Sequence, residues 1–556
     1  MSRIQSSDKA PNSGWWRSGV IYQIYPRSYQ DSNGDGIGDL PGITRRLDHI
    51  ARLGADAVWL SPIFKSPMKD FGYDVSDYND IDPMFGTLAD FRALVDRAHA
   101  LGLKVIIDQV LSHSSDQHPW FKESRQSRDP HINPKADWYV WADAKDDGNP
   151  PNNWLSVFGG SSWQWDTRRR QYYLHNFLTS QPDLNFHNPE VQQALLDSVK
   201  FWLDFGVDGY RLDAINFCFH DAELRSNPGA GMPDGSNPTV AASNPYAWQH
   251  HVYDRSRPDA LGFLERLRAL TDQYPDTMMV GEIGDESGMA MVAQYSSPSA
   301  DGAERLHMGY CFDLLADRHD APYLHEVIAK FERVAAEAGG GWACWALSNH
   351  DCKRIATRWG GEHPNPALLR LAPALQLSLR GAVCLYQGEE LGLPEADIAY
   401  EDLQDPYGIT MWPEFKGRDG CRTPFPWDSA APDLGFGALA TDGSQVRPWL
   451  PVAESHRALA VDAQEADPAA LLHHYRHLLQ WRRTQPALVL GDLTLLPVDP
   501  QVLAFVRRHG DARLLCAFNL SAEPATLTLP DGDRVDAQST LSFDPFGVLF
   551  ARLTRV

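Results

Sequence analysis

An eight-stranded (β/α)8 (TIM) barrel, with an inserted domain after its third strand and a C-terminal antiparallel β-domain, is the α/β architecture the sequence predicts. Three observations lead to it. Short apolar runs alternate with longer amphipathic stretches eight times between residues 20 and 386, the pattern of repeated βα units. Two long irregular segments fall after the third and eighth runs, on the side where barrel loops build a site. After Trp481 the pattern changes to closely spaced short strands with turn signals.

Taken in order, the predicted strands are Val20–Tyr25, Ala57–Leu60, Val105–Val110, Val207–Leu212, Met278–Ile283, Met308–Phe312, Trp342–Leu347 and Ala382–Tyr386. Helical spacing ends at Leu53 and recurs over Leu88–Leu101, Val191–Phe205, Leu261–Leu270, Leu324–Ala335 and Leu368–Leu379. The expected domains are 1–110 and 182–480 for the two parts of the barrel, 111–181 for the insertion and 481–556 for the β-domain, with a second long insertion over 391–457. In the β-domain, strands are expected at Leu493–Val498, Val502–Arg508, Leu514–Asn519, Ala525–Leu529 and Val548–Leu553. A doubly wound open sheet is the alternative, but no Gly-rich phosphate fingerprint follows the first strand. A chain of 556 residues also exceeds one ordinary hydrophobic core.

Composition excludes some partners. Net charge is −23, and binding phosphate backbones needs a basic face, so nucleic acid is not expected. No window approaches the ~18 apolar residues of a membrane span. Seven scattered cysteines without a C-x-x-C pair point to free thiols in a reducing compartment. The first residues show no apolar leader. The expectation is a cytoplasmic protein, monomer or homodimer.

The chemistry centres on Gly209-Tyr210-Arg211-Leu212-Asp213. Strand alternation puts Arg211 and Asp213 on one face, and a neighbouring guanidinium favours an ionised, oriented carboxylate. An isolated R-x-D is more often a structural ion pair. Here, however, acidic and histidine residues recur at other strand ends: Asp108 and His113 after the third, Glu282 after the fifth, His350 and Asp351 after the seventh. In a barrel those ends converge. Two carboxylates in a sugar-sized pocket serve retaining glycoside hydrolysis, one as nucleophile and one as acid/base. Asp213 has the setting of the first; Glu282, following an apolar run, that of the second. His113 and His350 can donate to sugar hydroxyls, and Asp351 can accept from them.

Asp108…His113, Gly209–Asp213, Gly281-Glu282-Ile283 and Asn349-His350-Asp351 resemble the ordered signature regions of the α-amylase family of glycoside hydrolases. Gln181-Pro182-Asp183-Leu184-Asn185 and Gly72-Tyr73-Asp74-Val75-Ser76-Asp77-Tyr78 resemble its α-glucosidase and oligo-1,6-glucosidase branch. The resemblance implies Asp213 as nucleophile, Glu282 as acid/base and Asp351 as transition-state stabiliser. It places Asp70, Tyr73, His113, Arg211 and His350 around the terminal glucose, with Arg418 or Arg422 reaching it too. Two positions depart from or qualify the pattern. Ser112 stands where the family usually has Asn, so support for that strand end must be rearranged. Ala214, after the nucleophile, goes with α-1,4 rather than α-1,6 cleavage in related enzymes. The implied function is an exo-acting α-glucosidase acting on maltose and short oligosaccharides, with glucosyl transfer to alcohol or sugar acceptors. The alternatives are an oligo-1,6-glucosidase, a sucrose hydrolase or a glucoside isomerase. A catalytically dead barrel like the heavy subunits of amino-acid transporters is the non-enzymatic alternative, but it needs a membrane anchor and often loses the carboxylates.

A second signal runs from Asp31 to Asp39, DSNGDGIGD. Oxygen side chains at alternate positions and glycines for the curl suit Ca²⁺, although Gly42 replaces the Glu of a full EF-hand loop. The resembled glucosidases hold a structural Ca²⁺ or Mg²⁺ in this loop, here assigned to Asp31, Asn33, Asp35, Ile37 and Asp39, with a stabilising role. No organic cofactor is expected. The Trp cluster over 138–165 reads as the core of the inserted domain, with a sugar-stacking platform as the alternative.

Overall fold

The computed structural model describes residues 14–231, 240, 243–437 and 446–555; the leaderless reading of the first residues lies mostly outside them. Eight parallel strands form the barrel: β1 (Val20–Ile24), β2 (Ala57–Leu60), β3 (Lys104–Val110), β4 (Gly209–Asp213), β5 (Met278–Gly281), β6 (Met308–Cys311), β7 (Ala343–Ala346) and β8 (Ala382–Tyr386). Each pairs with its neighbours in chain order, and β1 pairs with both β2 and β8, so the sheet closes without a free edge. Apart from Lys104, every residue of these strands is buried. Burial on both faces is why they read as apolar runs rather than as alternating patterns. Ile21, Trp59, Ile106, Val280 and Cys344 fill the interior.

The helices between the strands are set by their ends. Asp39 caps Leu40–Leu53 by accepting from Gly42 N, and Gly54 closes that helix in the left-handed conformation. Asn188 and Gly206 do the same for Pro189–Phe205. Met289–Ser296 fills the connection from β5 to β6, where the sequence pattern suggested no helix; at eight residues it is too short for a clear periodic signal.

After β3 the chain leaves the barrel for a three-stranded antiparallel sheet, in which Gln171–Leu174 pairs with both Trp141–Ala142 and Trp163–Asp166. Trp154 and Trp163 stack in its core with ring centroids 5.8 Å apart. At the C-terminus, β9 (Asp492–Leu495), β10 (Val502–His509), β11 (Ala512–Asn519) and β12 (Val548–Arg552) form an antiparallel sheet in that order. Arg507 ties this sheet to the barrel: its guanidinium donates to the carbonyls of Ser378 (2.6 Å), Leu379 (2.8 Å), Leu488 (3.0 Å) and Gly491 (2.8 Å). With Nε donating to the Asp492 carbonyl at 3.3 Å, all five N–H groups of this buried guanidinium are used. All seven cysteines are buried and unpaired, and no helix among the described residues is long and apolar enough to cross a membrane.

Candidate active site

Register brings the chemistry together. Asp108 on β3 lies opposite Arg211 on β4, and Gly281 on β5 lies opposite Leu212, so Arg211 sits between two carboxylate-bearing strands. Gly209 allows this close pairing, since a Cβ there would stand 2.1 Å from the Met278 carbonyl oxygen. The guanidinium Nη1 donates to Asp108 Oδ1 at 2.9 Å and to Asp213 Oδ1 at 2.7 Å. Its Nη2 lies 2.6 Å from Glu282 Oε2. One cation thus holds three carboxylates from three strands. After Asp213 the backbone turns left-handed at Ala214 (φ 40°), and the Ala214 N–H donates to Glu282 Oε2 at 3.0 Å.

A second guanidinium repeats the arrangement. Arg418 donates to Asp405 through Nε (3.0 Å) and Nη2 (2.8 Å), to Asp351 Oδ1 through Nη1 (3.0 Å) and to Asp70 Oδ1 through Nη2 (3.3 Å). Arg422 completes Asp351, with Nη2 2.8 Å from Oδ1, and its Nε donates to the His350 carbonyl. Of the two arginines left open by the sequence, Arg418 is the one spanning Asp70 and Asp351; Arg422 packs behind Asp351 over the rings of Tyr25 and Phe71.

The remaining residues are held by loop hydrogen bonds. Asp74 accepts from the backbone N–H of Lys69 and Asp70, both at 3.0 Å, which fixes the turn presenting Asp70 and Tyr73. The Tyr73 hydroxyl donates to Asp108 Oδ2 (3.1 Å) and meets His350 Nε2 at 2.6 Å. His113 Nε2 reaches the Tyr73 carbonyl at 3.1 Å, and Ser112 Oγ lies 2.9 Å from its Nδ1. Ser112 therefore supports the adjacent imidazole directly. Gln181 Nε2 donates to Asp70 Oδ2 at 3.0 Å.

Burial sets the electrostatics. It pushes the Glu282 carboxyl up to about 7 against the pull of Arg211. It also pushes Asp213 up to about 7 and Asp108 to about 6. The expectation that Arg211 keeps Asp213 ionised thus needs amending: one guanidinium shared among three buried carboxylates cannot hold all three charged, so the set retains a proton near neutral pH. Asp351 differs. Burial opposes its ionisation, but the guanidiniums of Arg418, Arg422 and Arg211 hold it well below the ordinary carboxylate range. Burial lowers His113 to about 4 and His350 to about 3, so both imidazoles are neutral. Side-chain exposure singles out three groups: Asp213 keeps 10%, Glu282 18% and Asp351 19%, against 0% for Asp108. These three keep the most surface among the carboxylates of the network.

Asp213, Glu282, Asp351, Asp70, Tyr73, His113, Arg211, His350, Arg418 and Arg422 therefore share one bonded network. Gln23, Trp59, Gln181 and Asp405 belong to it as well and were not assigned from sequence. For Gln23, the available signal was a polar residue inside an otherwise apolar strand.

The loop of Asp31, Asn33, Asp35, Ile37 and Asp39 lies apart, against residues 436 and 447 of the long insertion. Asp31 accepts from the N–H groups of Asn33 (3.0 Å), Gly34 (2.7 Å) and Gly36 (3.0 Å), while Asp35 accepts from Ile37 N and Asp39 from Ser32 N. Its donors are all oxygens, several carboxylate lone pairs stay available beside these bonds, and that chemistry fits a hard cation. Among the described residues no three His, Cys, Asp or Glu side chains gather as a ready-made metal cluster.

Comparison with known proteins agrees with this architecture. Residues 23–491 match the alpha amylase catalytic domain and residues 493–549 the maltogenic amylase C-terminal domain. A probable alpha-glucosidase of Rhizobium meliloti (strain 1021) is 57% identical over 95% of this chain and 94% of its own. An oligo-1,6-glucosidase of Parageobacillus thermoglucosidasius is 36% identical over 93% and 92%. The crystal structure of the alpha-glucosyl transfer enzyme XgtA superposes with a TM-score of 0.91 at 55% identity, covering 97% of this chain and 99% of that one. The trehalulose synthase MutB of Pseudomonas mesoacidophila MX-45 superposes at 0.84 with 30% identity, over 98% and 100%.

Proposed function

The chain belongs to the α-amylase family of glycoside hydrolases, and from that premise we propose that it is an exo-acting, retaining α-glucosidase. It removes terminal α-1,4-linked glucose from maltose and short oligosaccharides by double displacement, and it passes glucose to alcohol acceptors as well as to water. The observation that carries this reading is the pair Asp213 and Glu282, gripped by the two Nη atoms of Arg211. One guanidinium fork holding both carboxylates supports the retaining reading, in which such a pair lies ~5–5.5 Å apart.

In the first step Asp213 attacks the anomeric carbon while Glu282, the carboxyl raised to about 7, gives its proton to the departing oxygen. In the second, Glu282 takes a proton from water or an alcohol, which displaces Asp213 and restores the α configuration. Asp351, held ionised, faces the positive charge of the oxocarbenium-like transition state. Transfer is supported by the likeness to the alpha-glucosyl transfer enzyme. The α-1,4 preference rests on Ala214; relatives named oligo-1,6-glucosidase keep α-1,6 cleavage as the second reading. A panel of maltose, isomaltose and sucrose, with and without an alcohol acceptor, tests both. Preference for isomaltose would sink the α-1,4 assignment, and β-glucose as the first product seen by proton NMR would sink retention.

A Ca²⁺ or Mg²⁺ ion in the 31–39 loop is part of this proposal, supported by the all-oxygen donor set; it would brace the loop and take no part in the reaction. A cytoplasmic setting is also proposed, supported by seven unpaired, buried thiols. Cell fractionation tests it.

A further inference from the structure

We propose that Gln23 is a positioning residue of this site: its side-chain amide holds His350 as the neutral Nε2–H tautomer and so orders the Tyr73 hydroxyl toward Asp108. The kinetic consequence rests on the functional reading above; the tautomer is a property of the folded chain and can be measured without it.

Gln23 is fully buried on β1, the one polar side chain of Val20–Ile24 other than Tyr22. Its Nε2 lies 2.8 Å from His350 Nδ1 and 3.2 Å from Ser61 Oγ, which uses both of its amide hydrogens. At the other edge of the imidazole, Nε2 faces Asp351 Oδ2 at 3.3 Å and the Tyr73 hydroxyl at 2.6 Å. An ionised carboxylate only accepts. The ring proton therefore belongs on Nε2, Nδ1 is left as a bare acceptor, and the group placed opposite it must donate. Gln23 supplies that donor. With Nε2–H pointing at the Tyr73 oxygen, the hydroxyl hydrogen is free to point only at Asp108 Oδ2, 3.1 Å away. A directed chain runs from Gln23 through His350 and Tyr73 to Asp108, which Arg211 shares with Asp213.

Packing fixes the plane of the ring. Tyr73 stacks on one face of His350 (5.6 Å, 8°) and Tyr25 on another side (5.8 Å, 27°), with the edge of Trp59 at 6.1 Å. The charged groups around it are Asp351, Arg422, Arg211 and Arg418. A proton added at Nδ1 would face the Gln23 N–H head-on, in addition to those three guanidiniums.

Two substitutions test this. Gln23→Met keeps the side-chain length and removes the donor. Gln23→Glu replaces it with an acceptor that invites a proton onto Nδ1. Imidazole ¹⁵N NMR, with the His350 signals assigned by their loss in His350→Gln, should show Nε2–H in the parent protein across pH 5–8 and protonation at Nδ1 in Gln23→Glu. If the parent turns over maltose, both variants should lose kcat/KM by roughly 10- to 100-fold, mostly in kcat. Gln23→Glu alone should add a new ionisation to the pH profile. An Nδ1–H tautomer in the parent protein, or folded variants with parental kcat/KM and pH profile, overturns the proposal. A parent protein that shows Nε2–H but cleaves no α-glucoside refutes the functional reading and leaves the tautomer assignment standing.

Discussion

Replacing Glu282 with glutamine keeps the side chain's shape and its carbonyl oxygen for Arg211 Nη2 but removes the proton the leaving group needs. It also removes a carboxyl that burial has pushed from 4.5 to about 7. A raised carboxyl pKa is a cost borne by the folded state: absent below pH ~4.5, it grows as pH rises and is complete above about 7. At ~1.4 kcal/mol per unit the full cost is on the order of 3 kcal/mol. Glu282→Gln should therefore be more stable than the parent, with the gain largest near pH 8 and shrinking toward pH 5. Activity should move the opposite way. On maltose the loss should be about 10²–10⁴-fold, the usual worth of general acid catalysis. On 2,4-dinitrophenyl α-glucoside, whose leaving group needs no proton, the first step should survive and the second should become rate-limiting. Added azide, which needs no general base, should then restore turnover and give α-glucosyl azide. Thermal melts at several pH values and steady-state rates with and without azide check all of this. Equal losses on both substrates with no azide rescue would refute the acid/base role. A stability gain that does not depend on pH would refute the electrostatic account.

Asp213→Asn should lower kcat on maltose by about 10⁴-fold or more, and any glucosyl azide formed in added azide should be the β anomer, because azide would then attack in place of the missing carboxylate. Arg418→Ala leaves Asp405, whose side chain is fully buried, without its bidentate partner; a drop of about 3–5 kcal/mol in unfolding free energy is expected, with a raised KM, read from denaturant titration and kinetics. Chelation of divalent ions should lower the melting temperature and leave kcat/KM unchanged at temperatures well below the transition.

The barrel was legible because its strands are buried on both faces and so appear as apolar runs between turn signals. The R-x-D pair was legible because strand alternation is rigid: Arg211 and Asp213 had to share a face, and they are 2.7 Å apart. Which further carboxylates that arginine holds was not legible, because Asp108 and Glu282 reach it through strand register, and register depends on the whole closed sheet. Asp405 was invisible for a different reason. It lies in an irregular insertion where no periodicity marks a position, and its role exists only once that segment has folded back over the barrel. Gln23 could have been noticed as a polar residue in an apolar strand, but its partners His350 and Ser61, just beyond β7 and β2, are set by barrel closure alone.

Arg418 and Asp70 are bonded across 348 positions of chain. During synthesis the residues that would grip the sugar from one side are made early, and the arginine that spans Asp70 and Asp351 appears only after all eight barrel strands. A nascent or truncated chain ending before residue 418 would carry Asp213 and Glu282 yet lack the guanidinium that joins Asp70 to Asp351. Its activity should then switch on late and abruptly with chain length, as a property of the finished protein and not of the barrel alone.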